Sequence, residues 1–260
     1  MKLIRFFARE YALSGLFIIL LLGLWEIVVR SLDLAAFILP PPSQILSKFV
    51  ASHRLLLSHG LVTLTEALGG FFTGASSGLL CAIAMARSRL IERMLYPLVI
   101  STQTFPKEAL APVFVIWFGF GLLPKVIIAG LISFFPVVIN TTRGLLSVDK
   151  SILDLMRSLS ASQRQIFFKV RLPNAIPYLF AALKMCITLS VIGAVVGEFV
   201  GSSAGLGHLI RLANSELATD LMFAALLALG CMGTGLFLLV DGLEKTALRR
   251  WGGAVETIGR

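Results

Sequence analysis

The sequence predicts an all-α membrane protein of about six transmembrane helices. Of its 260 residues, 57% are hydrophobic and only 14% are charged, where soluble domains carry about 25% charged residues. The mean hydropathy is +0.90. Its apolar residues fall in runs close to the ~20 residues that a bilayer core about 30 Å thick demands of a helix. Lys and Arg collect in alternate connecting segments, as the orientation of a multi-pass chain requires. The formal net charge of +9 therefore reflects membrane orientation. No nucleic-acid motif accompanies it, and the expected surroundings are a lipid bilayer rather than nucleic acid.

The first span is 11–29, preceded by Lys2, Arg5 and Arg9. Such cations also open signal peptides, but the run continues to Val29 without a small-residue cleavage site, so a retained span is expected. The prolines of LPPPSQIL (39–46) stiffen the exit, and an amphipathic stretch follows over 49–57. The second span, 61–86, ends at Arg87, Arg89 and Arg93. The third, 94–120, is interrupted by Lys107, Glu108 and Pro112. The fourth, fifth and sixth are 125–142, 175–200 and 221–240, with a basic tail beyond. A cytoplasmic N-terminus puts sixteen Lys and Arg residues inside. Only Arg30, Lys48, Arg54, Lys125 and Arg211 then lie outside. Both termini and the long loop before the fifth span are accordingly expected in the cytoplasm. A single membrane domain is expected over 1–260, with its core at 61–243. No internal repeat, low-complexity segment or longer soluble piece interrupts it.

That loop, 147–177, is a long charged amphipathic segment between two apolar blocks. Ile152, Leu155, Met156 and Leu159 recur at helical spacing, while Asp149, Lys150, Asp154 and Arg157 fall mostly off that face. Ser162 followed by Gln165 is a capping-box pattern, which predicts a second short helix over 162–170. Pro173 and Pro177 then punctuate the entry into the fifth span. Two short helices bent near Ser160 would lie across the membrane surface, in a form suited to a groove on a soluble partner.

This loop resembles the coupling loop of bacterial ABC importer permeases. That pattern is Glu-Ala-Ala, three residues, Gly, nine residues, Ile, any residue, Leu-Pro. It falls here on Asp154, Leu155, Met156, Ser160, Val170, Leu172 and Pro173. The Leu-Pro and the spacing are intact; the triplet reads Asp-Leu-Met and the glycine is Ser160. A left-handed bend at Ser costs roughly 1 kcal/mol more than at Gly. A second block, TFPKEALAPVFVIWFGFG (104–121), resembles the nitrate, sulfonate and taurine branch of these permeases through Pro106, Ala109, Ala111, Pro112, Trp117, Phe118, Gly119 and Gly121. A third, GEFVGSSAGLGHLI (197–210), places Glu198 and Gly205-Leu206-Gly207 in the register of that branch, and LPPPSQIL is a fourth. The resemblance covers about 37–243.

It implies the type I ABC importer permease fold, with the loop at 147–173 as a cytoplasmic coupling element. It also implies a homodimer in the bacterial cytoplasmic membrane, two P-loop ATPase subunits beneath it and a substrate-binding protein outside. By motif register, Asp154, Leu155, Met156, Ser160, Ala161, Leu172 and Pro173 would make the ATPase contact. ATP and Mg would belong to the partner, since GxxxxGK[ST] is absent from this chain. The implied cargo is a small anion such as nitrate, a sulfonate or taurine. The alternatives are a pyrimidine-type vitamin precursor, or an ATP-independent secondary transporter, for which no inverted symmetry between halves is visible.

Ionisable residues inside apolar spans are costly and mark candidate pathways or pairs. Pro106 and Pro112 free backbone carbonyls that only protein or water can cover. The adjacent Lys107, with Gln103 and Thr104, is therefore the first pathway candidate, its cation favouring an anionic solute. Glu66 lies among small residues in TLTEALGG, where a lysine on another helix is an equal claimant, and Glu198 is the remaining candidate. Glu26 reads as interfacial and Lys184 as snorkelling. No catalytic residue is expected, because hydrolase and metalloprotease motifs are missing and no carboxylate pair stands out. Cys81, Cys186 and Cys231 lie in apolar segments and His53, His59 and His208 are scattered, so neither disulfides nor a metal site is expected.

Overall fold

Three helices whose backbones touch make the centre of the molecule. The computed structural model describes residues 2–251, with side chains from 13 to 249. In it α3 (His53–Arg87), α6 (Leu122–Leu146) and α9 (Leu172–Gly201) pack on one another along their lengths. Gly70, Gly74 and Gly78 recur every fourth residue on α3, so one stripe of that helix carries no side chains toward α6. A Cβ on Gly74 would lie 2.6 Å from the Gly130 carbonyl oxygen, and one on Gly78 would lie 2.9 Å from that of Phe134. Gly193 does the same on α9, where a Cβ would meet the Cα of Ala129 at 2.6 Å. Hydrocarbon offers no hydrophobic reward for helix association, so close contact and buried polar pairs hold such a bundle.

The remaining helices surround this core. α1 (Lys2–Ser31) stands at the edge, with Trp25 meeting Phe223 of α11 (Thr219–Trp251) edge-on at 5.8 Å. Glu26 accepts from the Ser43 amide at 3.0 Å and its hydroxyl at 2.7 Å. That carboxylate caps the first turn of α2 (Pro42–Ala51), which lies against α11 (Thr219–Trp251). α10 (Leu206–Ser215) fits between α9 and α11.

Among the described residues, five helices are long and apolar enough to cross a membrane: Leu13–Ser31, His53–Arg87, Leu122–Leu146, Gln163–Gly201 and Thr219–Arg249. The expected third span differs from these. It divides into α4 (Arg89–Ser101), two 3₁₀ turns (Thr102–Thr104 and Lys107–Leu110) and α5 (Ala111–Phe118). Pro106 and Pro112 lack the amide that an α-helix needs there, and Gly119 (φ 75°) and Gly121 (φ 148°) turn the chain after α5.

The expected second short helix also differs. α8 (Gln163–Ile166) begins on the expected Ser162–Gln165 capping box, but it does not stop before Pro173. One π-helical turn, Phe167–Arg171, carries it into α9, with Pro173 in the first turn of α9 and Pro177 inside it. The wider turn gives the proline ring and its missing amide room without breaking the helix. The amphipathic stretch at 49–57 falls across the boundary of α2 and α3. The side chains of Lys2, Arg5, Arg9, Arg250 and Arg260, used above to orient the chain, lie outside those described.

The α3–α6 contact makes a direct prediction. Gly74→Leu forces about 1–3 kcal/mol or more of overpacking and lowers the melting temperature of the purified protein by several degrees. Gly233→Leu on α11, where a Cβ meets nothing within 4 Å, leaves it nearly unchanged.

Candidate functional site

The coupling-loop candidates divide between a free tip and an anchored base. The tip is α7 (Lys150–Ser158). Asp149 opens it by accepting from the Ser151 amide at 2.9 Å and its hydroxyl at 2.8 Å, bonds that hold the Asp149 carboxyl below its usual range. The far end closes in a Schellman turn. Ser160 takes φ 56°, its amide donates to Arg157 O at 2.9 Å, and the Ala161 amide donates to Met156 O at 2.9 Å. Ser160 therefore does in the left-handed region what glycine would do there. Between these caps Ile152, Leu155 and Leu159 are 46%, 59% and 69% exposed, and among the described residues no other helix packs along α7. Asp154 pairs with Arg157 at 3.0 Å on its polar side.

The base is fixed to the ends of two core helices. Arg171 Nη1 donates to the carbonyl of Ala86, near the end of α3, at 2.9 Å. Asn174 Nδ2 donates to Gly144 O at 2.8 Å and Ser147 Oγ at 3.0 Å, at the end of α6. Phe167 is buried with Ala86, Leu145 and Ala175, and Leu172 packs against that cluster. Leu172 and half-buried Pro173 thus belong to the base. Asp154, Leu155, Met156, Ser160 and Ala161 belong to the tip.

The five pathway candidates do not converge on one site, although two of them, Glu66 and Glu198, lie beside each other. Gln103 and Thr104 are exposed in the break between α4 and α5, and Lys107 stands with Nζ 4.6 Å from the Phe135 ring centre. Glu66 and Glu198 lie inside the core. Glu66 is 1% exposed, with Oε1 2.6 Å from Lys125 Nζ, which also donates to Ser202 Oγ at 2.6 Å. Glu198 is fully buried and accepts from Thr63 Oγ1 at 2.6 Å and from the Gly207 amide.

The second network explains Gly205-Leu206-Gly207. Gly205 adopts φ 110°, and a Cβ on it would collide with the Glu198 carboxylate. A Cβ on Gly207 would lie 2.7 Å from Glu198 Oε2, so both glycines let the carboxylate sit against the N-terminus of α10. Twenty-one residues of helix separate Glu66 from Arg87, about 31 Å at 1.5 Å per residue. The buried pairs therefore sit at the opposite end of the core from the loop.

Sequence reasoning missed Lys125, Thr63 and Ser202 at that end, and Arg171 and Asn174 as anchors. Lys125 opens an apolar run and reads as an interfacial cation; its partner is 59 residues earlier, beyond any local spacing rule. Lys184, expected to snorkel, instead pairs with Asp241 at 3.3 Å and Glu244 at 2.5 Å on α11.

Comparison with known proteins follows this geometry. Residues 74–251 match the family model described as binding-protein-dependent transport system inner membrane component. The riboflavin transport system permease protein RibX of Chloroflexus aurantiacus is 37% identical over 89% of this chain and 87% of its own. The formylaminopyrimidine transport permease protein ThiX of Halalkalibacterium halodurans is 33% identical over 90% and 93%. The taurine transport system permease protein TauC of Escherichia coli is 29% identical over 96% and 93%. Among solved structures, an inward-facing MetNI methionine ABC transporter superposes with a TM-score of 0.66 at 19% identity, covering 75% of this chain and 97% of the other.

The buried ion pair yields a stability prediction. Lys125→Met leaves the Glu66 carboxylate buried and bare, at a cost of about 3–5 kcal/mol. Glu66→Gln together with Lys125→Met recovers more than half of that loss, as read by thermal unfolding of the purified variants.

Proposed function

This chain belongs to the binding-protein-dependent transport system inner membrane component family, and from that premise we propose how the two ends of its core divide the work. It is the non-catalytic, membrane-spanning permease of an ABC importer, with the fold of the type I class. Its ATPase is a separate subunit, and a binding protein delivers the solute. Family membership displaces the ATP-independent secondary-transporter alternative.

In our reading α7 is the element that docks on the ATPase, and the observation that carries it is its unpartnered apolar face. A helix capped at both ends, with Leu155 and Leu159 bare, gains stability only by burying that face in a groove. Leu155, Met156 and Ala161 would supply the apolar contact, Asp154 a polar rim, and Ser160 the turn that aims the helix. ATP and Mg would be bound and spent in the partner. Two copies of this chain would form the dimer, with both termini and α7 on the cytoplasmic side, the orientation that the Lys and Arg bias favours. Arg171 and Asn174 would then pass displacement of the loop to α3, α6 and α9, which move as packed units.

For the solute we favour a planar nitrogen heterocycle of the vitamin-precursor class, on the similarity to the permeases for formylaminopyrimidine and riboflavin. Gln103 and Thr104 would bond such a ring at the break, with Phe105 exposed beside them. The Lys107 cation favours a second reading, a sulfonate or similar anion. Proteoliposomes holding the complete importer separate the two. Lys107→Ala leaves uptake of a neutral heterocycle within about twofold, and lowers uptake of a sulfonate tenfold or more if that is the cargo.

Tip and base variants test the coupling reading. Leu155→Asp with Leu159→Asp abolishes co-purification of the ATPase in mild detergent without shifting the melting temperature, since neither side chain supports the fold. Arg171→Gln retains the ATPase but lowers uptake per ATP hydrolysed. Full retention of the ATPase by the tip variant would sink the docking role of α7.

A further inference from the structure

The described residues hold a basic cavity that neither the docking of α7 nor the solute pathway uses. Its volume is about 760 Å³, and its walls carry Arg87, Arg89, Arg157, Arg164 and Arg171 against the lone acid Glu92. Its position is set by topology: α3 ends at Arg87, α4 begins at Arg89, and the helix that becomes α9 begins at Gln163. The ends of two membrane-crossing helices meet the start of α4 there, and such helix ends are expected at headgroup level rather than in hydrocarbon.

Three of the guanidinium groups have partners within the chain. Arg171 bonds Ala86 O at 2.9 Å, Arg157 pairs with Asp154 at 3.0 Å, and Arg87 lies over the Phe167 ring at 5.6 Å. The side chains of Arg89 and Arg164 make no hydrogen bond or ion pair among the described residues. Five like charges around one cavity repel, and an anion with several acceptor oxygens relieves that repulsion better than water does. Leu146, which is exposed, contributes an apolar part of the wall, with only the edge of the buried Phe167 beside it. A free inorganic ion has no use for that surface, whereas the glycerol and upper acyl carbons of a lipid do.

We propose that this cavity binds a phosphate ester anion, and specifically the headgroup of an anionic phospholipid. Arg89 and Arg164 are the principal ligands and Arg157 joins from α7. A bound phosphate then ties the otherwise unpartnered α7 to the ends of α3 and α9, so lipid composition sets how stiffly the loop is held. The site goes beyond the docking role of α7 and does not depend on it.

The test uses the full-length protein, delipidated in mild detergent and followed by native mass spectrometry. The probes are phosphatidylglycerol, phosphatidylcholine and inorganic phosphate, with Arg89→Gln plus Arg164→Gln as the variant. The proposal expects retained phosphatidylglycerol adducts on the wild type, no specific phosphatidylcholine adducts, and affinity lowered roughly 10- to 30-fold in the variant. Neither arginine supports the fold, so the variant keeps its melting temperature; it also still co-purifies the ATPase, which separates this site from the coupling reading. Arginine-dependent binding of inorganic phosphate in place of lipid would identify a soluble phosphate as the source and overturn the lipid assignment. Equal phosphatidylglycerol binding by wild type and variant would overturn the site itself.

Discussion

Backbone contact between α3 and α6 is the constraint on which the rest of this structure depends. Where Gly74 passes the Gly130 carbonyl and Gly78 passes that of Phe134, no side chain separates the two helices. Lipid tails compete for every apolar surface, so helices in a bilayer are held by what lipid cannot match: close van der Waals contact and satisfied polar pairs. Close approach is also what permits the polar pairs. Glu66 reaches Lys125, and Glu198 reaches Thr63 and the start of α10, because the helices carrying them are already near.

The two ends of this core are built differently. At one end the buried carboxylates are tied across three helices and a tight glycine turn, which resists relative movement. At the other, Arg171, Asn174 and Phe167 tie the loop to the core, while α7 beyond them is held only by its own caps. In the proposed coupling role, a rigid base with an exposed apolar tip would carry force from α7 to α3, α6 and α9 with little lost in the loop. The continuous helix from Gln163 to Gly201 strengthens it, because the π-helical turn removes the hinge that Pro173 would otherwise create.

Much of this was legible in the sequence, for reasons that are local. Spans show as apolar runs, and the capping box at Ser162 and Gln165 shows because both partners lie within one turn. The bend near Ser160 was legible between the apolar face ending at Leu159 and the capping box at Ser162, but the left-handed conformation of Ser160 itself only through register with a family pattern, since serine at φ 56° leaves no compositional signal. Long-range pairing was not legible. Lys125 and Glu66 are each one charge in an apolar run, and nothing in either run names the other. The break in the expected third span was visible in its prolines, but the division into two helices and two 3₁₀ turns depends on which carbonyls find partners in three dimensions. Glu66 and Glu198 drew attention as costly buried charges, and the structure places both in pairs within the core rather than at the exposed break with Gln103 and Thr104.

The central claim is that loop and core move as one body, and a pair of distance measurements tests it most directly. Spin labels at Ser158 on α7 and Ser88 at the end of α3 report the distance within one chain by pulsed electron resonance, with the copies diluted so that one is labelled. Labels at Ser158 in the two copies of the proposed dimer report the distance between them. The account predicts that ATP trapping of the assembled importer changes the distance between copies by several ångströms and leaves the distance within the chain unchanged. A change confined to the distance within the chain would mean that α7 moves on a hinge, and would contradict the account.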